Sequence, residues 1–130
     1  FIRTSFLPDD LAITTYEFNG INIKISSNER AILECLYLSP KNFDLLECYQ
    51  IMEGLSTLRP NTLQKLLSQC RSIRVKRLFL YMADKAQLPV LKHLNLNEID
   101  LGKGDRVIVK NGVYNSKYKI SLPKELVGYV

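Results

Sequence analysis

A chain of 130 residues with 46% hydrophobic and 24% charged composition is not a disordered segment, and it suits one globular domain. No apolar run approaches the ~18 residues of a membrane span, and the opening FIRTSFLPDD lacks the basic-then-apolar layout of a secretion signal. The net charge of +5 is uneven: residues 1–25 carry two basic and three acidic groups, residues 26–56 two and five, residues 57–130 fourteen and five, which points to a polyanionic or acidic partner for the second half.

Ile13 to Phe18 alternates, with Thr14, Tyr16 and Phe18 on one face, and Ile21, Ile23 and Ile25 alternate with Asn22 and Lys24. Asn19-Gly20 between them tolerates the positive φ angles of a two-residue hairpin turn. A helix follows from Ser26-Ser27-Asn28-Glu29, read as a capping box in which Glu29 reaches back to the cap. Ile32, Cys35 and Leu36 give its buried stripe, and Pro40 ends it. Asp44-Leu45-Leu46-Glu47 repeats the device, with Leu45, Cys48, Tyr49 and Met52 facing inward and Gly54 at the C-terminal cap. A third helix begins at Pro60, a residue tolerated at a first helical position, with Leu63, Leu66, Leu67 and Cys70 as its stripe.

The stretch Gln69 to Ala86 reads as one further helix, since Val75, Leu78, Phe79, Met82 and Ala86 recur at helical spacing. At about 100° per residue, Arg71, Arg74, Arg77, Tyr81 and Lys85 fall within about 60° of Arg74. The four cations from Arg71 to Arg77 have no interleaved acid to neutralise them at i,i+4. This predicts an outward basic stripe beside the apolar one, with Lys76 on the opposite side and merely solvated. Arginines suit it, because their planar fork grips phosphate or carboxylate with two parallel bonds. A solvated helix face is the plain alternative.

Pro89 closes that helix, and a short helical turn is expected from Val90 to Leu94. Arg106 to Lys110 and Val113-Tyr114 flank Asn111-Gly112, a second hairpin signal. Tyr118, Ile120 and Leu122 then alternate with Lys117, Lys119 and Ser121. The expected fold class is α+β: an N-terminal β-hairpin, a bundle of three to four amphipathic helices, and C-terminal strands completing a small sheet. If those strands join the first pair, one face of the sheet packs on the helices and the other shows lysines.

Catalytic signals are sparse. His93 stands alone, with no nucleophile set and no GxSxG context around it. Cys35, Cys48 and Cys70 are too widely spaced for a CxxC zinc site and fall on apolar helix faces, so reduced core cysteines in a cytoplasm are expected. No metal and no cofactor is implied. Glu98, Asp100 and Lys103, among the glycines at 102 and 104, could hold a divalent ion for phosphodiester or phosphoryl chemistry. Yet the spacing is not GxxxxGK[ST] and no helix follows, so a solvated turn is the simpler reading.

The runs Ile25-Ser26-Ser27-Asn28-Glu29-Arg30-Ala31-Ile32-Leu33-Glu34-Cys35-Leu36, Phe43-Asp44-Leu45-Leu46-Glu47, Met52-Glu53-Gly54-Leu55 and Leu58-Arg59-Pro60 form a pattern with Val75-Lys76-Arg77-Leu78-Phe79-Leu80-Tyr81 and Ile99-Asp100-Leu101-Gly102. It resembles the C-terminal domain of AbiEi-type antitoxins, the regulators of type IV toxin–antitoxin (abortive infection) systems. The resemblance runs nearly the whole length, through Lys124-Glu125-Leu126, and departs at Asn28, where family members often carry proline. It implies a bacterial, cytoplasmic protein without catalysis of its own. Operator DNA would be read mainly by an N-terminal winged helix-turn-helix outside residues 1–130, and an AbiEii-like nucleotidyltransferase toxin would be neutralised. Arg71, Arg74, Arg77, Tyr81, Lys85, Lys117 and Lys119 are the residues expected to meet DNA or toxin. A metal-dependent nuclease or phosphotransferase acting through Glu98, Asp100 and Lys103 is one alternative, and a homodimerisation module is another.

Overall fold

Asn19 and Gly20 both take positive φ, 51° and 78°, so the chain doubles back in two residues as their dipeptide requires. Strands β1 (Ile13–Phe18) and β2 (Ile21–Ser26) therefore pair antiparallel, with Tyr16 opposite Ile23 and Phe18 opposite Ile21. This hairpin belongs to a computed structural model that describes residues 6–39, 41 and 44–129. The helix stop expected at Pro40 and the matched Phe43 lie outside the described residues.

Helix α1 spans Asn28–Leu38, and its cap is Ser27, whose hydroxyl accepts from the Arg30 N–H at 3.3 Å. The expected reach of Glu29 back to the cap does not occur. Glu29 is buried and accepts instead from the Arg59 backbone N–H (2.8 Å) and guanidinium (3.0 Å), tying α1 to the start of the third helix. A full ion pair across the fold outcompetes a local cap. Helix α2 covers Leu45–Glu53 and ends at Gly54; the Asp44 side chain makes no capping bond, so the second expected box is absent too. Helix α3 (Pro60–Gln69) starts on its proline.

Helix α4 begins four residues later than its apolar spacing suggests. It runs Ile73–Lys85, capped by the Ser72 hydroxyl accepting from the Val75 N–H at 3.2 Å. Gln69 closes α3, and Arg71 sits in the link, where its backbone N–H donates to Phe6 O. Every residue from Val75 to Ala83 is buried, so α4 is enclosed on all sides by the rest of the fold. The short helical turn after Pro89 is present as a 3-10 turn over Pro89–His93, followed by another at Leu96–Glu98.

The C-terminal strands form their own sheet and do not join the hairpin. Strand β3 (Arg106–Val107) runs parallel to β5 (Ile120–Leu122), and β4 (Val113–Asn115) pairs antiparallel on its other side. Asn111-Gly112 thus joins two strands that are not neighbours. Gly112 serves close approach: a Cβ there would collide with Leu122 O. A short helix α5 (Lys124–Val127) ends the described chain. One core of buried side chains joins Leu33, Leu36, Leu63, Leu66, Phe79 and Met82 to Ile120, Leu122 and Leu126.

The hairpin's outer face is a separate matter. Tyr16, Phe18, Ile21, Ile23 and Ile25 share it with Thr14, and the five large side chains are 43–65% exposed.

Candidate functional site

An α-helix leaves the carbonyls of its last turn without partners, and irregular loops leave others. The basic residues of α4 answer those carbonyls one by one. Arg74 Nη2 donates to Tyr37 O at 2.8 Å and Leu36 O at 3.2 Å, at the C-terminal end of α1. Lys76 Nζ donates to Asp100 O at 2.7 Å. Arg77 Nε donates to Leu101 O at 2.9 Å, and its Nη1 to Gly104 O at 2.7 Å and Lys119 O at 3.2 Å. Lys85 Nζ donates to Tyr129 O at 2.6 Å, just past α5, and lies 5.5 Å from the Tyr49 ring centroid.

The outward basic stripe expected from the sequence is therefore corrected. Arg77 and Lys76 are each 3% exposed, Tyr81 is 8% exposed, and Arg74 and Lys85 are partly buried. Lys76, expected to be only solvated, is one of the most enclosed cations. No interleaved acid is needed, because the partners are carbonyls on other elements. Tyr81 packs edge-on against Tyr118, with centroids 6.4 Å apart, and burial pushes its hydroxyl pKa up. Burial also pulls the Arg74 guanidinium down; for Arg77 burial does so first and the neighbouring Arg106 second.

Three of the seven expected residues do come together. Arg77, Lys117 and Lys119 line one cleft of about 190 Å³, with Leu101, Gly102 and Tyr118. Arg77 lies on the α4 side, its position fixed by three carbonyls. Lys117 and Lys119 flank Tyr118 on the turn into β5, and both are exposed. That turn is held by Asn115 Oδ1, which accepts from the Tyr118 N–H at 2.9 Å, and Lys119 takes a φ of 56°. Lys117 also donates to Asp84 Oδ2 at 2.8 Å, and the Tyr118 hydroxyl donates to the same oxygen at 3.1 Å. The Lys117 bond holds the Asp84 carboxyl below its ordinary value.

Charge at this place is positive on balance. Arg77, Arg106, Lys117 and Lys119 stand against Asp84 and Asp105. Asp105 is engaged by the Tyr114 hydroxyl at 2.7 Å. Such a cleft suits an oxyanion carried by a larger partner, with the exposed Lys119 and the Asp84-paired Lys117 at the rim above a fixed guanidinium.

Arg71 is exposed, in the link between α3 and α4, and does not line this cleft. The Glu98–Lys103 stretch is put to structural use. The Asp100 carboxylate accepts from the Gly102 N–H at 2.8 Å, and Gly102, with φ 69°, packs its Cα side against Ile73. Among the described residues no group of three or more acidic, histidine or cysteine side chains is arranged to hold a metal ion. No described helix is long and apolar enough to cross a membrane.

Residues 1–123 match the family model AbiEi_3, described as transcriptional regulator, AbiEi antitoxin, type IV TA system. No curated protein matches, and no solved structure does.

Proposed function

The chain belongs to the AbiEi antitoxin family of type IV toxin–antitoxin transcriptional regulators, and from that premise we propose that its cleft of Arg77, Lys117 and Lys119 supplies phosphate contacts that support operon repression. The observation that carries this reading is that Lys117 and Lys119 stand exposed at one cleft over Arg77, while Arg77 and the other α4 cations are taken up by carbonyls. In this reading residues 1–130 form an antitoxin domain that works beside a separate operator-reading winged helix-turn-helix. Its own contacts are independent of base sequence: they position, and they do not specify. Arg74 and Lys85 act indirectly, by holding α1 and α5 against α4. Catalysis has no part, and the protein acts in the bacterial cytoplasm on its operon and against a nucleotidyltransferase-like toxin.

The test is the double variant Lys117→Gln with Lys119→Gln, scored for operon repression and for rescue from the toxin. Glutamine removes the charge but keeps a polar side chain of similar bulk, and it places no new carboxylate beside Asp84. Weakened repression with an unchanged fold is expected. Full repression and full rescue would remove the cleft from the mechanism.

A second reading, self-association through the hairpin, is favoured by one observation. Five large apolar side chains on one face of the hairpin, bordered at Tyr16 and Ile25 by the Glu29–Arg59 ion pair, present about 500–600 Å² per copy, near the upper end of what monomers leave exposed. Two such faces packed together bury on the order of 1,000 Å², the threshold for a specific interface. Glu17 and Lys24, the charged residues of the two strands, lie on the opposite face.

A further inference from the structure

Cys35 on α1 and Cys48 on α2 were expected to be independent core cysteines, yet their sulfurs lie 3.0 Å apart. Both are free thiols, and a disulfide requires about 2.05 Å, so roughly 1 Å of side-chain movement separates the two states. The Ser39 hydroxyl stands 3.1 Å from the Cys48 sulfur and itself donates to Cys35 O at 3.0 Å. Cys48 is fully buried and Cys35 only partly open, which favours a small oxidant over a bulky disulfide.

We infer that Cys35 and Cys48 form a dithiol that small hydroperoxides convert to an internal disulfide joining α1 to α2. A thiolate sulfur attacks the peroxide, the O–O bond breaks, and the hydroxide that leaves takes up a proton as water. The resulting sulfenic sulfur is attacked by the second cysteine, whose thiol proton goes to the departing hydroxide. In sum, two thiols and one hydrogen peroxide give one disulfide and two waters, with sulfur oxidised and peroxide oxygen reduced. The Cys48 thiol is pulled down to about 7, first by the Cys35 thiol donating to it and also by Ser39, against the opposing effects of burial and of Asp44 and Glu47. The same hydrogen bond, with burial, pushes the Cys35 thiol up, so of the pair Cys48 is the sulfur that ionises first. Cys70 stays outside this chemistry: its thiol contacts Ser72 O at 3.6 Å, and burial pushes its pKa up.

The experiment treats the folded protein with hydrogen peroxide, blocks remaining thiols with iodoacetamide in denaturant, and maps the peptides by mass. One crosslink between the Cys35 and Cys48 peptides is expected, with Cys70 alkylated. It should form at least about tenfold faster than in urea-unfolded protein, because the fold holds the sulfurs together. Cys70→Ala should retain the crosslink, and Cys35→Ser should lose it. The inference is overturned if all three cysteines remain alkylatable in the folded protein. It is equally overturned if Cys70 enters the disulfide as readily, or if unfolding leaves the rate unchanged.

Discussion

Arg77 shows how far a side chain's role can depart from its place on a helical wheel. Projection around α4 puts Arg74, Arg77 and Lys85 on one face, and that geometry is correct. What the projection omits is that the face is covered by the end of α1, the Leu101–Gly104 loop and α5. Bonds from a charged donor contribute about 1.5–3 kcal/mol each when buried. Arg77→Met should therefore cost about 2–4 kcal/mol in urea denaturation, part of the loss being Leu101 O and Gly104 O left without their donor, while Lys119 O keeps the Arg106 N–H. Arg77→Lys should recover little, since one ammonium cannot span the separate carbonyls that the fork reaches. Wild-type stability in either variant would contradict the strut role.

Glu29 gives the same scale a dependence on pH. Burial pushes its carboxyl up, but the Arg59 side-chain and backbone donors together outweigh that and hold it below the ordinary 4.5. A carboxyl lowered by folding contributes stability that is fully present above its unfolded value and is lost as pH falls through the folded one. The thermal midpoint should thus drop with acid below about pH 4.5, and Glu29→Gln should flatten that drop while lowering the midpoint at pH 7. An unchanged acid slope in the variant would place the titration elsewhere.

Among the elements, those with a strong local signal were legible. Asn19-Gly20 with flanking alternation specified the first hairpin, and Pro60 and Gly54 marked real helix boundaries. The start of α4 was not legible from apolar spacing, because Cys70 continues the α3 stripe while Ser72 already caps the next helix. The pairing of the C-terminal strands was hidden as well: β3 lies parallel to β5, a non-local partner that no turn signal encodes. Nor could separate stripes on α1 and α2 announce that Cys35 and Cys48 touch. The hairpin carries its own prediction. Sedimentation over a range of concentrations should show a dimer that Phe18→Asp with Ile21→Asp abolishes, both positions being 64–65% exposed. A monomer throughout would leave that face without a role in self-association.

Across the whole molecule, the skew of positive charge toward residues 57–130 was readable from the sequence. Which of those cations remain outward was not, because that depends on the carbonyls the fold leaves to be satisfied. After Arg74, Lys76, Arg77 and Lys85 are committed, Lys117 and Lys119 stand at the rim of the cleft above Arg77. Lys117 keeps its bond to Asp84, but an exposed ion pair contributes little to stability and exchanges readily with another anion. Each phosphate contact releases counterions, so binding should weaken with salt in proportion to the number of contacts made.

The salt dependence of operator binding by the full-length protein tests the proposed phosphate contacts of the cleft most directly. The logarithm of affinity against the logarithm of salt should be shallower by about two for Lys117→Gln with Lys119→Gln, near 0.9 per lost contact, at an unchanged thermal midpoint. Identical slopes for the two proteins would mean that these lysines meet no phosphate.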